Sequence, residues 1–480
     1  MAFAPDYRRI AVALNAVVLT ALMAFFGTGM HPIWPLLWLA PIPVLLIARR
    51  LSGFAAFGSG ALAWALGGLN IWRYLRNVLG THRAGSFFVA LLILAIPAIF
   101  FGLAVLAWRR FMLRGAVGFA ALAFPAVWVS YEYLSATASP HSTFGNLAYT
   151  QMDFLPIVQL AAVTGVWGVT FCLFLFSATV AALLSGEGSR TQRRILPAAA
   201  GIFFIAVFAF GVWRLSAPAP APSIRVGLEA SDLAKNVFPQ DEGPKTARLF
   251  HDYVDQAAQL ASQGAQVIVI PEKLGVVLDA ETGLTDALFQ EFADRSKANI
   301  VVGLIRVAKP LKFNEARTYA PSGAVLVYEK HHMLPAFESK FQPGTSVELM
   351  TKPSGIWGVA ICKDMDFPAL SRRYGNAGTG LLLVPAWDFA DDGWLHGRMA
   401  IMRGVESGFS IARAPKEGLL TVSDDRGRVL AQQRSDAAPF ATLLAEAPVR
   451  HDSTLYLRFG DWFAWLTLAL LALSLLAMRR

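Results

Sequence analysis

The chain has 480 residues, 55% of them hydrophobic and 16% charged, with a formal net charge of +9, and that length allows two or more domains. The positive excess does not point to nucleic acid, because arginines punctuate apolar segments instead of clustering on a soluble face. Two cysteines, one of them inside a membrane-length run, exclude a disulfide framework.

Residues 1–215 contain no lysine and few acids, and the first lysine is Lys235. This half reads as lipid-soluble and the rest as globular. Eight apolar runs, near 10–26, 33–48, 53–70, 86–107, 115–131, 157–184, 195–213 and 461–478, are long enough to cross a bilayer as helices. Seven of them make a membrane domain over 1–215, and the eighth lies in a C-terminal segment, 451–480. No small-residue cleavage site follows the first run, so it reads as a span and not as a signal peptide. Arg8-Arg9, Arg49-Arg50, Arg109-Arg110 with Arg114, Arg190 with Arg193-Arg194, and Arg479-Arg480 fall on one side of the spans. The positive-inside rule then places both termini in the cytoplasm and residues 215–460 outside it. Seven spans with one re-entrant run would invert part of this map.

The Ala-Pro alternation over 216–222 predicts a short stiff linker. Beyond it, over 223–450, strands and helices alternate in an α/β sandwich pattern. Strands are expected near 223–229, 266–271, 299–306, 323–329, 356–362, 380–385, 408–414 and 418–423. Amphipathic helices are expected near 245–262, where Phe250, Val254 and Ala257 share a face, and near 283–297 and 395–407.

Three of these strands end in reactive groups. Val267-Ile-Val-Ile-Pro-Glu272 delivers a carboxylate, Ala324-Val-Leu-Val-Tyr-Glu-Lys330 an amine, and Ile356-Trp-Gly-Val-Ala-Ile-Cys362 a thiol. A thiol, an acid and an amine at strand ends suit a nucleophile, a base and a charge stabiliser. A buried free cysteine is more often a small core residue. A lone thiol in an oxidising compartment favours a chemical role, and Lys363 and Lys330 are expected to stabilise its thiolate. Glu272 follows a buried run, so desolvation is expected to raise its pKa toward that of a useful base. Glu338, in Lys330-His-His-Met-Leu-Pro-Ala-Phe-Glu338, either hydrogen-bonds to the site or caps a loop. His331-His332 is not read as a metal site, because adjacent histidines on a strand point apart and no third ligand is in place. Gly-x-Gly-x-x-Gly, a Walker loop and a Gly-x-Ser-x-Gly elbow are all missing, which argues against nucleotide cofactors and a serine hydrolase.

Glu272, Lys330 and Cys362, in that order at strand ends, resemble the Glu-Lys-Cys triad of the nitrilase superfamily. With eight spans around them, the whole resembles the apolipoprotein N-acyltransferase family, its membrane-embedded branch. Gly27-Thr-Gly-Met-His-Pro-Ile-Trp-Pro-Leu36, Gly145-Asn-Leu-Ala-Tyr-Thr-Gln151 and Gln159-Leu-Ala-Ala-Val-Thr-Gly-Val-Trp-Gly-Val169 look like family segments. So do residues 330–338 and Arg398-Met-Ala-Ile-Met-Arg-Gly-Val-Glu406 with Arg413-Ala414. Three segments depart from the pattern. Lys363 stands where an aromatic usually follows the nucleophile, with the next acid kept as Asp364. The Gln-Gly-Asn turn is replaced by Gly227-Leu-Glu-Ala-Ser231, and an Asn-Asn-Gly turn by Pro415-Lys-Glu-Gly418.

The resemblance implies a multi-pass helical membrane domain plus a nitrilase-like αββα sandwich. It also implies a two-step acyl transfer without metal or cofactor. Cys362 would be the nucleophile and Glu272 the base. Lys330, with backbone N–H groups near Lys363, would stabilise the oxyanion, and Glu338 and Asp364 would support the site. The implied donor is a phospholipid and the implied acceptor the diacylglyceryl-cysteine amine of a lipoprotein, at the outer face of a bacterial inner membrane. Three alternatives stand beside this reading: a membrane-tethered amidase, a non-enzymatic binding protein on a degenerate scaffold, and a related acyltransferase with another amine acceptor.

Overall fold

The apolar runs of the first half fold as helices in the computed structural model, which describes residues 7–216, 221–232, 244–335 and 337–479. Of the expected linker over 216–222, residues 217–220 lie outside the described residues. The chain forms two units. One comprises Met1–Ser139, Gly145–Ser216 and Asp461–Arg480; the other comprises Pro140–Phe144 and Ala217–Gly460.

In the helical unit, six helices among the described residues are long and apolar enough to cross a membrane, against the eight spans expected. They are Ile10–Gly27, Gly53–Leu79, Ala84–Leu113, Val117–Ala138, Val166–Leu184 and Arg190–Ser216. The expected second span is instead two short helices, Trp34–Leu39 and Ile42–Ala48. Pro35, Pro41 and Pro43 crowd this stretch, and each removes a backbone donor and restricts the residue before it. The run expected over 157–184 is broken at Gly165, whose φ of 67° ends one short helix and starts Val166–Leu184. The C-terminal apolar run folds as the 18-residue helix Trp462–Arg479, over the stretch expected for the eighth span. Aromatic rings fill the core of this unit: Trp64 stacks on Phe101 at 4.4 Å and meets Trp128 edge-on at 4.7 Å. Ile202, Ile205 and Trp213 stay exposed on the Arg190–Ser216 helix, as a lipid-facing surface requires.

The second unit is built on two sheets. The first runs Ala441–Pro448, Ser223–Ala230, Val267–Val269, Asn299–Ala308, Leu311–Tyr319 and Leu326–Glu329. Val276–Leu278 and Phe341–Gln342 add short pairings to it. The second sheet runs Val429–Arg434, Leu419–Ser423, Ser410–Lys416, Thr379–Trp387, Gly355–Val359 and Glu348–Lys352. Each sheet has three parallel strands at its centre. Parallel strands are covered on both faces, which is why they read as continuous apolar runs.

The two-residue side-chain period sorts each strand between two cores. Val267 and Val269 join Val226, Leu228, Val359, Leu381 and Leu383 in one core shared by the two sheets. Ile268 and Ile270 turn instead to Phe250, Tyr253 and Phe289 of the helices Pro244–Ser262 and Thr282–Ser296. The helices Pro368–Asn376 and Gly393–Ser407 pack on the second sheet. The layers are helix, sheet, sheet, helix, as expected.

Six strands were not expected: Val276–Leu278, Leu311–Tyr319, Phe341–Gln342, Glu348–Lys352, Val429–Arg434 and Ala441–Pro448. Leu311–Tyr319 is the one that matters for the site. Its sequence, Leu-Lys-Phe-Asn-Glu-Ala-Arg-Thr-Tyr, has no apolar alternation, yet Asn314, Glu315, Arg317 and Thr318 are all buried in it. Partners elsewhere in the fold satisfy them: Glu315 meets Arg306 at 2.5 Å, and Arg317 meets Asp286 at 2.9 Å.

Candidate active site

Glu272, Lys330 and Cys362 each stand just past a strand. Three residues after Val267–Val269, the backbone N–H of Glu272 donates to the Ala386 carbonyl at 3.2 Å, tying the first sheet to the second. The chain passes so close to its neighbour here that a Cβ on Gly303 would lie 2.6 Å from the Glu272 Cα. Lys330 follows Leu326–Glu329, and its N–H donates to the Asn314 carbonyl at 2.9 Å. Cys362 opens the 3-10 turn Cys362–Asp366 with φ at +40°, in the left-handed region. Such strain in a non-glycine residue is held by its surroundings and concentrates at functional positions.

The three side chains meet in one buried cluster, and Glu338 joins them. Lys330 Nζ donates to Glu272 Oε1 at 2.8 Å and to Glu338 Oε2 and Oε1 at 2.9 and 3.1 Å. Glu338 Oε2 also accepts from the Leu334 N–H at 2.7 Å. Cys362 is buried as well. Its Sγ donates to the Trp387 carbonyl at 3.4 Å and lies within electrostatic reach of Glu272 and Lys330.

Two expectations about charge are overturned. Burial pushes the Cys362 thiol well up, Glu272 adds to that, and Lys330 only partly offsets it. Cys362 therefore rests as a thiol, not a thiolate. Burial would likewise raise Glu272, but Lys330 and Lys273 overcome it and hold the carboxyl below its ordinary value of 4.5. Lys363 lends the thiol little, because its Nζ is engaged by Asp366 Oδ2 at 2.9 Å and by His141 Nδ1 at 3.2 Å.

Residues 14–179 match the apolipoprotein N-acyltransferase N-terminal domain family, and residues 241–418 match the carbon-nitrogen hydrolase family. An apolipoprotein N-acyltransferase of Geobacter metallireducens is 25% identical over 99% of both chains. Proteins of the same name are 24% identical in Gloeobacter violaceus, over 92% of this chain and 90% of that one, and 23% identical in Vibrio vulnificus, over 92% of both. The chain belongs to the apolipoprotein N-acyltransferase family. It is a multi-pass membrane acyltransferase with a carbon-nitrogen hydrolase domain, as the resemblance implied. Among solved structures, an amidase from Nesterenkonia sp. aligns at 20% identity with a TM-score of 0.42, covering 51% of this chain and 96% of that one.

In this N-acyltransferase family member, Asp364 clamps the Cys362–Asp366 turn. Its Oδ2 accepts from Tyr328 Oη at 2.7 Å and the Ile361 N–H at 3.1 Å, and its Oδ1 from the His332 N–H at 2.9 Å. The His331-His332 pair thus lines this clamp, and His332 Nδ1 lies 3.0 Å from the same carboxylate.

Sequence reasoning missed two residues of the cluster. Asn314 Nδ2 donates to Glu272 Oε1 at 2.6 Å and to Glu338 Oε1 at 2.9 Å. Lys273 takes φ of +51°, which brings its Nζ to Glu338 Oε1 and to 3.5 Å from Glu272 Oε1. The adjacency of Lys273 to Glu272 was visible, but the left-handed turn that brings both inward was not.

A further charged group lies beside Trp387. Arg413 grips Asp388 with two N–H groups, one of them at 2.8 Å. His396 Nδ1 is 3.1 Å from Asp392 and 3.7 Å from Asp388. Burial lowers the His396 pKa, but Asp392 and its neighbours raise it to about 9. Asp388 thus pairs with Arg413 and Asp392 with His396, and Asp388, Asp392 and His396 each bring one possible ligand atom within 4.8 Å of the others.

Proposed function

We propose that this protein transfers a fatty acyl group from a phospholipid, through a thioester on Cys362, to the N-terminal amine of diacylglyceryl-cysteine on lipoproteins. The observation that carries this is the buried contact of Lys330 with Glu272 and Glu338 beside the Cys362 thiol, on a chain aligned over 99% of its length with a relative named for that reaction. The amidase alternative is not favoured, since the full-length relatives carry the acyltransferase name.

In this reading the Glu272 carboxylate takes the Cys362 proton as the sulfur attacks the ester carbonyl. Lys330 and backbone N–H groups at the start of the 3-10 turn face the developing oxyanion, a kind of contact worth about 3 kcal/mol per donor. The ester C–O bond breaks, Glu272 returns the proton to the departing alkoxide, and a lysophospholipid leaves. The acceptor amine then attacks the thioester, and the thiolate departs and is reprotonated through Glu272. A thiol at rest suits this cycle, because a buried, uncharged sulfur gives up its proton only as it attacks.

Phospholipid alone should leave an acyl group on Cys362, seen as a hydroxylamine-sensitive mass increase. Glu272→Gln keeps the shape but removes the base, and loading should slow by about 10²- to 10⁴-fold. Loading at the normal rate in that variant would show that Glu272 has another role.

We also propose that the protein lies in a bacterial inner membrane with residues 221–460 on the periplasmic side, where translocated lipoproteins meet lipid. Arginine asymmetry around the apolar runs supports this. A reporter active only outside the cytoplasm should work after Pro222 or near Arg450 and fail after Arg50 or Arg194. The reverse pattern would remove the lipoprotein reading with it.

A further inference from the structure

Lys416 is a buried group that the mechanism above does not use. It ends the strand Ser410–Lys416, directly across from Trp387 on the neighbouring strand. Its Nζ sits 3.7 Å from the centre of the Trp387 ring and donates to the Lys273 carbonyl at 3.2 Å. Both contacts lead into the site. The Trp387 carbonyl accepts from Cys362 Sγ, and the Lys273 ammonium touches Glu272 and Glu338.

An ammonium has three donors, and a buried one is costly unless it is paired. Among the described residues Lys416 has no carboxylate in ion-pair contact, and a carbonyl and a ring face are its partners. The charged groups around it are Lys273 and Glu272 from the turn after Val267–Val269, Asp232 past the end of Ser223–Ala230, and its neighbour Glu417. Burial and then Lys273 lower its pKa to about 7, against the pull of the three carboxylates. A large share of the enzyme therefore holds a free amine here at neutral pH.

We propose that Lys416 is the proton acceptor for the second half-reaction, its neutral amine taking a proton from the α-ammonium of the incoming acceptor so that the freed amine attacks the Cys362 thioester. This rests on the acyl-transfer reading of the site. The proton balance is complete. Lys416 gains the proton that the ammonium loses, and releases it to solvent after the product leaves. The proton lost when the C–N bond forms passes through Glu272 to the departing thiolate.

Glu272 is poorly matched to the first of these steps. An α-ammonium has a pKa near 8, so giving its proton to a carboxyl held below its ordinary value is unfavourable by roughly a thousandfold or more. Giving it to Lys416 is unfavourable by only about tenfold.

The test starts from full-length enzyme already acylated on Cys362 by phospholipid and mixes it with a synthetic diacylglyceryl-cysteine peptide across a range of pH. Lys416→Met should slow transfer about tenfold at neutral pH, because only about a tenth of the α-amine is free there without a proton acceptor, and this is more than it slows loading. The deficit should close as the pH rises past the acceptor's own pKa, where the amine is already free. Lys416→His, which restores a base of similar proton affinity, should recover transfer at neutral pH, and this comparison with Lys416→Asn carries the test if the Met variant does not fold. An unchanged transfer rate, or a deficit equal at neutral and alkaline pH, would overturn the assignment. A wild-type enzyme that never loads Cys362 would instead overturn the acyl-transfer reading on which the assignment rests.

Discussion

Cys362→Ala should lose both acyl loading and acyl transfer, by about 10⁴-fold or more, while keeping its fold. The substitution removes one buried sulfur whose hydrogen bond is a 3.4 Å donation to the Trp387 carbonyl, so the stability cost should be about 1 kcal/mol. Cys362→Ser should be nearly as inactive. Burial beside Glu272 already pushes the thiol well up, and a hydroxyl in the same place ionises far less readily. Intact mass after incubation with phospholipid reads the loading, and melting in detergent reads the fold. A folded Ala variant that still transfers acyl groups at a tenth of the normal rate would rule out the thioester.

Lys330→Met should be the most damaging change to both activity and stability. Lys330 Nζ is the 2.8 Å partner of Glu272 and the 2.9 Å partner of Glu338, both of them buried. Removing it leaves two carboxylates of like charge sharing Asn314 and Lys273. Breaking a buried pair of this kind costs about 3–5 kcal/mol, and in the proposed mechanism the oxyanion would lose its cation as well. The pH dependence follows from the direction of the shifts. In the native protein Glu272 and Glu338 lie below their ordinary 4.5, because Lys330 and Lys273 outweigh the effect of burial. Their contribution to stability is therefore present above about pH 4.5 and is lost as the pH falls through their folded values. In the variant the carboxyl groups shift upward, one binds a proton readily, and the deficit should shrink on acidification. Melting at about pH 7 and about pH 5 checks this. An equal deficit at both would show that packing, not the buried charge, is what Lys330 provides.

The sequence by itself determined the elements whose signal is local. Apolar runs ending in Glu272 and Cys362 read directly as strand ends, because a buried parallel strand is apolar at every position; the run ending in Lys330 reads so as well, although Leu326–Glu329 is an antiparallel edge strand. The long helices read equally well, up to the points where Pro41 and Gly165 break two of them. The tertiary structure decided what depends on partners far apart in the chain. Leu311–Tyr319 carries Asn314, Glu315 and Arg317 into the interior, and no periodicity announces a strand whose buried residues are polar. Such a strand is stable only because Glu272, Glu338, Arg306 and Asp286 wait for it elsewhere in the fold. The protonation states were hidden for the same reason. Burial alone predicts a raised Glu272, and sequence adjacency predicts a helpful Lys363. The balance is instead set by Lys273 turning inward at a left-handed φ and by Asp366 and His141 holding the Lys363 charge. Electrostatic energy in a low-dielectric interior depends on distances of a few ångströms, and those distances exist only once both sheets have closed on one another.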